Sequence, residues 1–445
     1  MQEWHMKNKL LSLILAAVMM VAFSGCIFVP TEIPHSTNST ENTEPTEEQY
    51  DGYTLVDRAV FEFDCEYYDA VTLSAGYESL TEDSERECYK QIDKHVYYIA
   101  DDIDGETWKT LPITLEDTKL SEAQIRLVIA AYFLDNPQVF WIHNNFVYSN
   151  TTDNTVIQLL SYMSAEVVTA TAQNLSREVE EVLSGVTADM DLFTRELYVH
   201  DMLIQRCEYI DDLSVVDDSF RAYTTLGALV DSKAVCEGYS RTMQLLLSEL
   251  SIESYNVLGE GTDTLHMWNC VKLGDEWYYV DATWDDEDED GVVYDYFNIT
   301  TEQILADHTI NSTYWQLTED EICGTNGNTA ASFNIFVPQC SDSSMNYYAK
   351  NGVPIDGLDE ADMDIICEAI STAAQKGQRK IYLYINDSLD FADTVDNLFY
   401  SGDHIFFDCI DTVNQELQGV SVDRDNVSIR KSEEMSVVTV YLEYI

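Results

Sequence analysis

Residues 232–250 read SKAVCEGYSRTMQLLLSEL, and residues 265–284 read LHMWNCVKLGDEWYYVDATW. In the first stretch Tyr239, Met243, Leu246, Leu247 and Leu250 recur at the spacing of one apolar helix face. Cys236 then falls in the first turn of an amphipathic helix. There the unpaired N–H groups and the positive end of the helix dipole stabilise a thiolate, the form of cysteine that attacks carbonyl carbon.

The second stretch predicts a β-hairpin. Two aromatic and β-branched runs, Leu265–Leu273 and Trp277–Trp284, flank a Gly274-Asp275 turn. If Leu273 faces Glu276, then His266 lies opposite Thr283 and Asp281 opposite Trp268. Alternation sends these four side chains to one face and makes His266 and Asp281 diagonal neighbours. The other face (Leu265, Met267, Val271, Tyr278, Val280, Ala282 and Trp284) is expected to be mostly core. The Cys236 helix is expected to pack on the histidine face.

A thiol, an imidazole and a carboxylate so placed form a nucleophile, a proton relay and a group that orients and stabilises the imidazolium. The backbone N–H of Cys236 is a natural oxyanion donor. Tyr223 is the candidate for a second contact with substrate, and Trp268 is expected to wall the site. His200 and His308 read as structural histidines. Asp285–Asp290 lacks the alternating oxygen ligands and central glycine of an EF-hand loop and reads as a solvated loop. No CxxC pair occurs among the ten cysteines. Neither metal nor cofactor is expected, and most cysteines are expected to be small buried hydrophobes.

Residues 222–286 resemble the bacterial branch of the transglutaminase-like superfamily. The resemblance is carried by Gly227-Ala228-Leu229-Val230, by Val235-Cys236-Glu237-Gly238-Tyr239, by His266-Met267-Trp268-Asn269, and by Trp277-Tyr278-Tyr279-Val280-Asp281-Ala282-Thr283-Trp284-Asp285-Asp286. Tyr296-Phe297-Asn298-Ile299 and Asp307-His308 are similar to the segment that follows in such proteins. The resemblance implies an α+β, papain-like core, with the nucleophile on a helix and its partners on adjacent antiparallel strands. It also implies a peptide or protein substrate, with cell-wall peptide among the candidates.

Outward from this core, the expected organisation is a lipoprotein signal peptide over 1–25, a disordered tether over 26–50, and a mainly helical N-terminal domain over 51–160. The core follows over 161–318, then a linker over 319–330 and an α+β module over 331–445. Lys7 and Lys9 precede an apolar run from Leu10 to Phe23, and Phe23-Ser24-Gly25-Cys26 resembles a lipobox, in which Cys26 would be lipidated. In the C-terminal module Phe333–Val337, Lys380–Ile385, His404–Cys409 and Val437–Tyr444 read as strands, and Asp359–Ala374 as a helix.

The 23 Lys+Arg stand against 81 Asp+Glu, a net charge of −58. Such a surface repels phosphate backbones and anionic lipid alike. Nucleic acid is therefore excluded as a partner, and membrane attachment is expected only through Cys26, outside the cytoplasm. The expected function is thiol-dependent acyl transfer on peptide amides, either a cysteine peptidase or amidase or a cross-linking transglutaminase. The rival expectation is a surface binding protein that keeps the fold as a scaffold, since fold alone does not decide function.

Overall fold

The computed structural model describes residues 49–63, 65–103, 107–215, 218–262, 264–287, 291–310, 337–386, 388–400 and 404–445. The expected signal peptide with Cys26, nearly all of the tether, the 319–330 linker and all but Val337 of the Phe333–Val337 strand lie outside these residues. The chain forms two compact units, one of Met1–Val293 with Asp307–Gln339 and one of Tyr294–Ala306 with Cys340–Ile445. The first unit takes in the residues expected as an N-terminal domain and those of the core other than Tyr294–Ala306, which belong to the second unit.

The N-terminal part of the first unit is mixed rather than mainly helical. Helices α1 (Asp83–His95) and α2 (Glu122–Asp135) each open with a capping box, Glu82 with Glu85 and Ser121 with Gln124. With them stands a sheet of β1 (Trp108–Lys109), β2 (Ile113–Leu115), β3 (Ile142–Asn150) and β4 (Thr155–Ser161). β1 and β2 pair with one edge of β4, and β3 pairs with the other. The sequence TVIQLLS makes β4 a strand because alternate residues Thr155, Ile157, Leu159 and Ser161 are all buried.

Helices α3 (Ala165–Leu183), α4 (Leu192–Arg206) and α5 (Cys236–Glu249) follow. The predicted apolar face of α5 is buried, but the helix is not amphipathic in its setting: every residue from Gly238 to Ser248 is buried. Several of its polar residues are accommodated by hydrogen bonds. Gln244 Nε2 donates to the carbonyls of Leu134 (2.9 Å) and Ser254 (3.3 Å), Arg241 to the carbonyl of Val139 (3.1 Å), and Ser240 Oγ to that of Met267 (2.8 Å). Gly238 answers a close approach, since a Cβ there would collide with the Ala222 carbonyl.

Against α5 lies an antiparallel sheet in which β5 (Ser254–Gly261), β6 (Thr264–Leu273), β7 (Glu276–Val280) and β8 (His308–Ile310) run in the order β7-β6-β5-β8. The β6–β7 register is the predicted one, with Leu273 opposite Glu276 and Asn269 opposite Val280. The second strand is shorter than expected: β7 ends at Val280, and the next residues turn. The two faces also differ from expectation at this end of β6. Leu265 is 43 % exposed and Met267 half-buried, whereas His266 and Trp268 are buried.

The helix binds the sheet through Asn269, which alternation places opposite in parity to His266. Asn269 Nδ2 donates to the Ser240 carbonyl (2.9 Å) and to Asn256 Oδ1 (3.0 Å), and Asn256 Nδ2 donates to Gln244 Oε1 (3.0 Å). Ser240, one turn beyond Cys236, is bonded to the carbonyl next to His266, which sets the thiol at the level of that histidine.

The second unit holds a sheet of order β9-β10-β12-β11, made of β9 (Val353–Ile355), β10 (Lys380–Ile385), β11 (Ser428–Ser432) and β12 (Val437–Tyr441). β9 is parallel to β10 and the other pairings are antiparallel. Helices α6 (Glu360–Lys376), α7 (Phe391–Phe399) and α8 (Ile405–Glu416) complete it. α8 corrects the strand expected at His404–Cys409: Phe406, Cys409, Ile410 and Val413 are buried at helical spacing. Among the described residues no helix is long and apolar enough to cross a membrane, and Cys65, Cys88, Cys207, Cys236, Cys367 and Cys409 are free thiols.

The amide chain Gln244–Asn256–Asn269 gives a direct test of what joins helix to sheet. Asn256→Leu leaves two buried amides short of a partner. It should cost about 1–3 kcal/mol in urea unfolding followed by tryptophan fluorescence.

Candidate active site

Asp281 is the first residue past the end of β7, and its side chain is almost fully buried. Its Oδ1 accepts the backbone N–H groups of Thr283 (3.0 Å) and Trp284 (3.3 Å), the closure of a local Asx turn. Its Oδ2 lies 2.7 Å from His266 Nε2 and 3.2 Å from His308 Nε2. Burial pushes the Asp281 carboxyl up, but the His266 and His308 imidazoles more than reverse this and hold it well below the usual carboxylate range. Burial alone would depress His266. The Asp281 carboxylate and then Cys236 raise it to about 10.

Cys236 is half-buried at the first position of α5, and the preceding Val235 supplies no capping side chain. The first-turn N–H groups of the helix therefore have no side-chain acceptor from the cap. The structure thus brings Cys236, His266 and Asp281 together from a helix start, a strand and the turn after the neighbouring strand.

The two expected substrate contacts separate. Tyr223 is half-buried, and burial, then Glu237 and Cys236, push its phenol up to about 12. Trp268 is instead 1 % exposed. Its indole packs 5.9 Å from the His266 ring and 5.0 Å, edge-on, from the His308 ring, so it buttresses the imidazoles rather than walling an open site. Gly259 makes room for it, because a Cβ there would strike both the Thr309 carbonyl and the Trp268 ring. Trp284 covers the other side, 4.3 Å from His308 and 5.7 Å from His266.

Two residues near the reacting groups escaped the sequence reading. For Tyr209, burial, then Cys236, Asp211 and Asp281, push the phenol well above the ordinary range. His308 was assigned a structural part, yet it shares the Asp281 oxygen with His266. Its one signal in the sequence was the Asp307-His308 pair at the end of the resemblance.

A third buried histidine stands behind this array. His200, on α4, places Nε2 3.1 Å from Asp285 Oδ2 and Nδ1 3.1 Å from Asp201 Oδ1. Asp285 is fully buried rather than part of a solvated loop, and its backbone N–H donates to the Asp281 carbonyl (3.1 Å). Tyr239 donates to Asp286 Oδ2 (2.6 Å). The turn that carries Asp281 is therefore tied down from α4 and α5.

His266, Asp281 and His308 offer three ligand-type atoms within 4.8 Å of one another. Two of the separations, 2.7 Å from His266 and 3.2 Å from His308 to Asp281 Oδ2, are hydrogen-bond contacts between imidazole and carboxylate.

Solved structures similar to this chain include a TGase, with 12 % identity and a TM-score of 0.23 over 39 % of this chain and 50 % of that one. Another is a proposed cysteine protease from Cytophaga hutchinsonii, with 14 % identity and a TM-score of 0.20 over 29 % of this chain and 52 % of that one. The matches span about half the length of those proteins, and likeness at these scores carries no argument about activity. No protein-family model and no curated protein matches the chain.

The His200 cluster gives a pH-dependent stability. Burial would depress this imidazole, but Asp201 and Asp285 raise it to about 9, above the ~6.5 of an unfolded histidine. Its stabilisation is therefore complete below about pH 6.5 and is lost as pH rises through about 9. His200→Gln should lower unfolding free energy by about 3–5 kcal/mol at pH 6. The gap to the parent protein should narrow by pH 10 in urea titrations.

Proposed function

We propose that the chain is a thiol-dependent acyl-transfer enzyme acting on peptide amides. The observation that supports this best is the buried His266–Asp281 pair at 2.7 Å, with the Cys236 thiol on the same imidazole at the start of α5. In this reading Cys236 Sγ adds to the amide carbonyl carbon while His266 holds the thiol proton as an imidazolium stabilised by Asp281. The negative charge on the carbonyl oxygen is met by the Cys236 backbone N–H, with Tyr223 beside it. Collapse of the adduct breaks the C–N bond, and His266 returns the proton to the departing amine. Water or an amine then attacks the thioester, with His266 taking up the incoming proton; the C–S bond breaks and the departing Cys236 thiolate recovers that proton from His266. The first outcome is hydrolysis and the second is cross-linking.

The expected setting is extracytoplasmic, with the chain anchored through lipid on Cys26. A peptide or protein, including cell-wall peptide, is the substrate class, and no cofactor is required by these steps. The acidity of the chain, −58 overall, favours cationic over anionic substrates at long range.

Iodoacetamide labelling mapped by mass spectrometry tests the reading. Cys236 should label at pH 6 at least tenfold faster than Cys65 and Cys367, the other half-buried described cysteines, and His266→Ala should remove that advantage. On a peptide-amide substrate Cys236→Ala should lower kcat by at least 10³-fold. A folded protein whose Cys236 is inert at every pH would instead support the binding-scaffold alternative.

A further inference from the structure

We propose that His308 is a positioning residue of the reacting array: as an imidazolium bridging Asp281 and Asp307, it fixes the Asp281 carboxylate on His266 and partly cancels its charge. This rests on the reading of Cys236, His266 and Asp281 given above.

Donor counting carries the inference. His308 Nε2 faces Asp281 Oδ2 at 3.2 Å, and Nδ1 faces Asp307 Oδ1 at 2.6 Å. A neutral imidazole has one N–H and one bare nitrogen, so one lone pair would point at a carboxylate. Only the doubly protonated ring donates on both sides. The ring is fully buried, where a mismatched contact of this kind is costly. The two carboxylates also raise the proton affinity of the ring against burial and against the like charge of His266.

A purely structural role is a poor account of these contacts. β8 is already held on β5 by backbone pairing of His308 with Gly261 and Ile310 with Gly259. Asp281, by contrast, has left the strand ladder, and His308 is one of the two side chains on its Oδ2. The groups facing this centre are His266 from β6, Asp281 from the turn after β7, Asp307 from its own segment, and the rings of Trp268 and Trp284. Cys236 from α5 and Tyr209 complete the set through His266 and Asp281.

Charges therefore alternate along His266, Asp281, His308 and Asp307. A cation on His308 opposes protonation of His266, because like charges disfavour the charged form. Its effect is to restrain the grip of Asp281 on the His266 proton, which has to be released to the leaving amine in every cycle.

The test is histidine-selective ¹⁵N NMR of the full chain, following imidazole signals from pH 5 to 11. In the parent protein His308 should keep two protonated nitrogens through neutral pH. His308→Gln retains a donor for Asp281 without the charge, and it should raise the His266 titration by about one pH unit, roughly tenfold in proton affinity. Asp307→Asn should give a shift in the same direction, confined to higher pH. A neutral His308 at pH 7 in the parent protein, which needs no variant to see, would overturn the proposal. So would a folded His308→Gln protein with an unmoved His266 titration. These readouts do not depend on turnover, so an inert Cys236 would sink the enzymatic reading and leave this result to be judged separately.

Discussion

Four N–H groups converge on the two oxygens of Asp281, a carboxylate with almost no solvent contact. Burying a carboxylate is expensive unless hydrogen bonds and opposite charge replace its water. Here two backbone donors come from the residue's own turn, and two imidazoles come from strands on either side of β5. The turn fixes one oxygen and leaves the other to face His266. That division is what converts the end of a hairpin into an orienting group for a proton carrier. The strand ladder, the Trp268 and Trp284 packing, and the His200–Asp285 clamp all bear on where this one carboxylate points.

The surroundings are unusually polar for a core. α5 is covered on all sides, yet it carries Ser240, Arg241, Thr242, Gln244 and Ser248 among its buried residues. An apolar helix of the same shape would pack with less specificity, because dispersion contacts tolerate small rotations and translations. Directed amide bonds do not. Gln244, Asn256 and Asn269 fix the axial setting of the helix on the sheet, and with it the height of Cys236 relative to His266. The polar core and the site geometry are thus two aspects of one constraint.

The legible parts of the sequence were the periodic ones. Tyr239, Met243, Leu246 and Leu247 are all fully buried, and the Gly274 turn gave the true hairpin register. What alternation could not show was where the strand stops. Val280-Asp281-Ala282-Thr283-Trp284 continues the strand-like pattern on paper, but the Asp281 side chain captures the next backbone donors and ends the ladder. Helix burial was missed because Gln244 and Arg241 look like a solvent face until their carbonyl partners are in place. The strand assigned to His404–Cys409 was drawn by aromatic and β-branched composition, whereas Ile410 and Val413 extend the apolar spacing as a helix. His308 lies far along the chain from His266, and no local pattern links them; only the β8–β5 pairing does.

The residues before the site are bound to it more closely than their place in the chain implies. The Leu134 and Val139 carbonyls accept from Gln244 and Arg241 of α5. Val71 N–H donates to the Ser248 carbonyl, and Ser251 Oγ donates to that of Asp69. Arg195 of α4 lies over the Tyr68 ring. The helix that presents the thiol is, in this sense, completed by segments that precede it by a hundred residues and more. A fragment that starts at the motif-bearing region would lose the Leu134 and Val139 acceptors and uncover that face of α5, so the smallest autonomous form of this site includes the N-terminal sheet and helices.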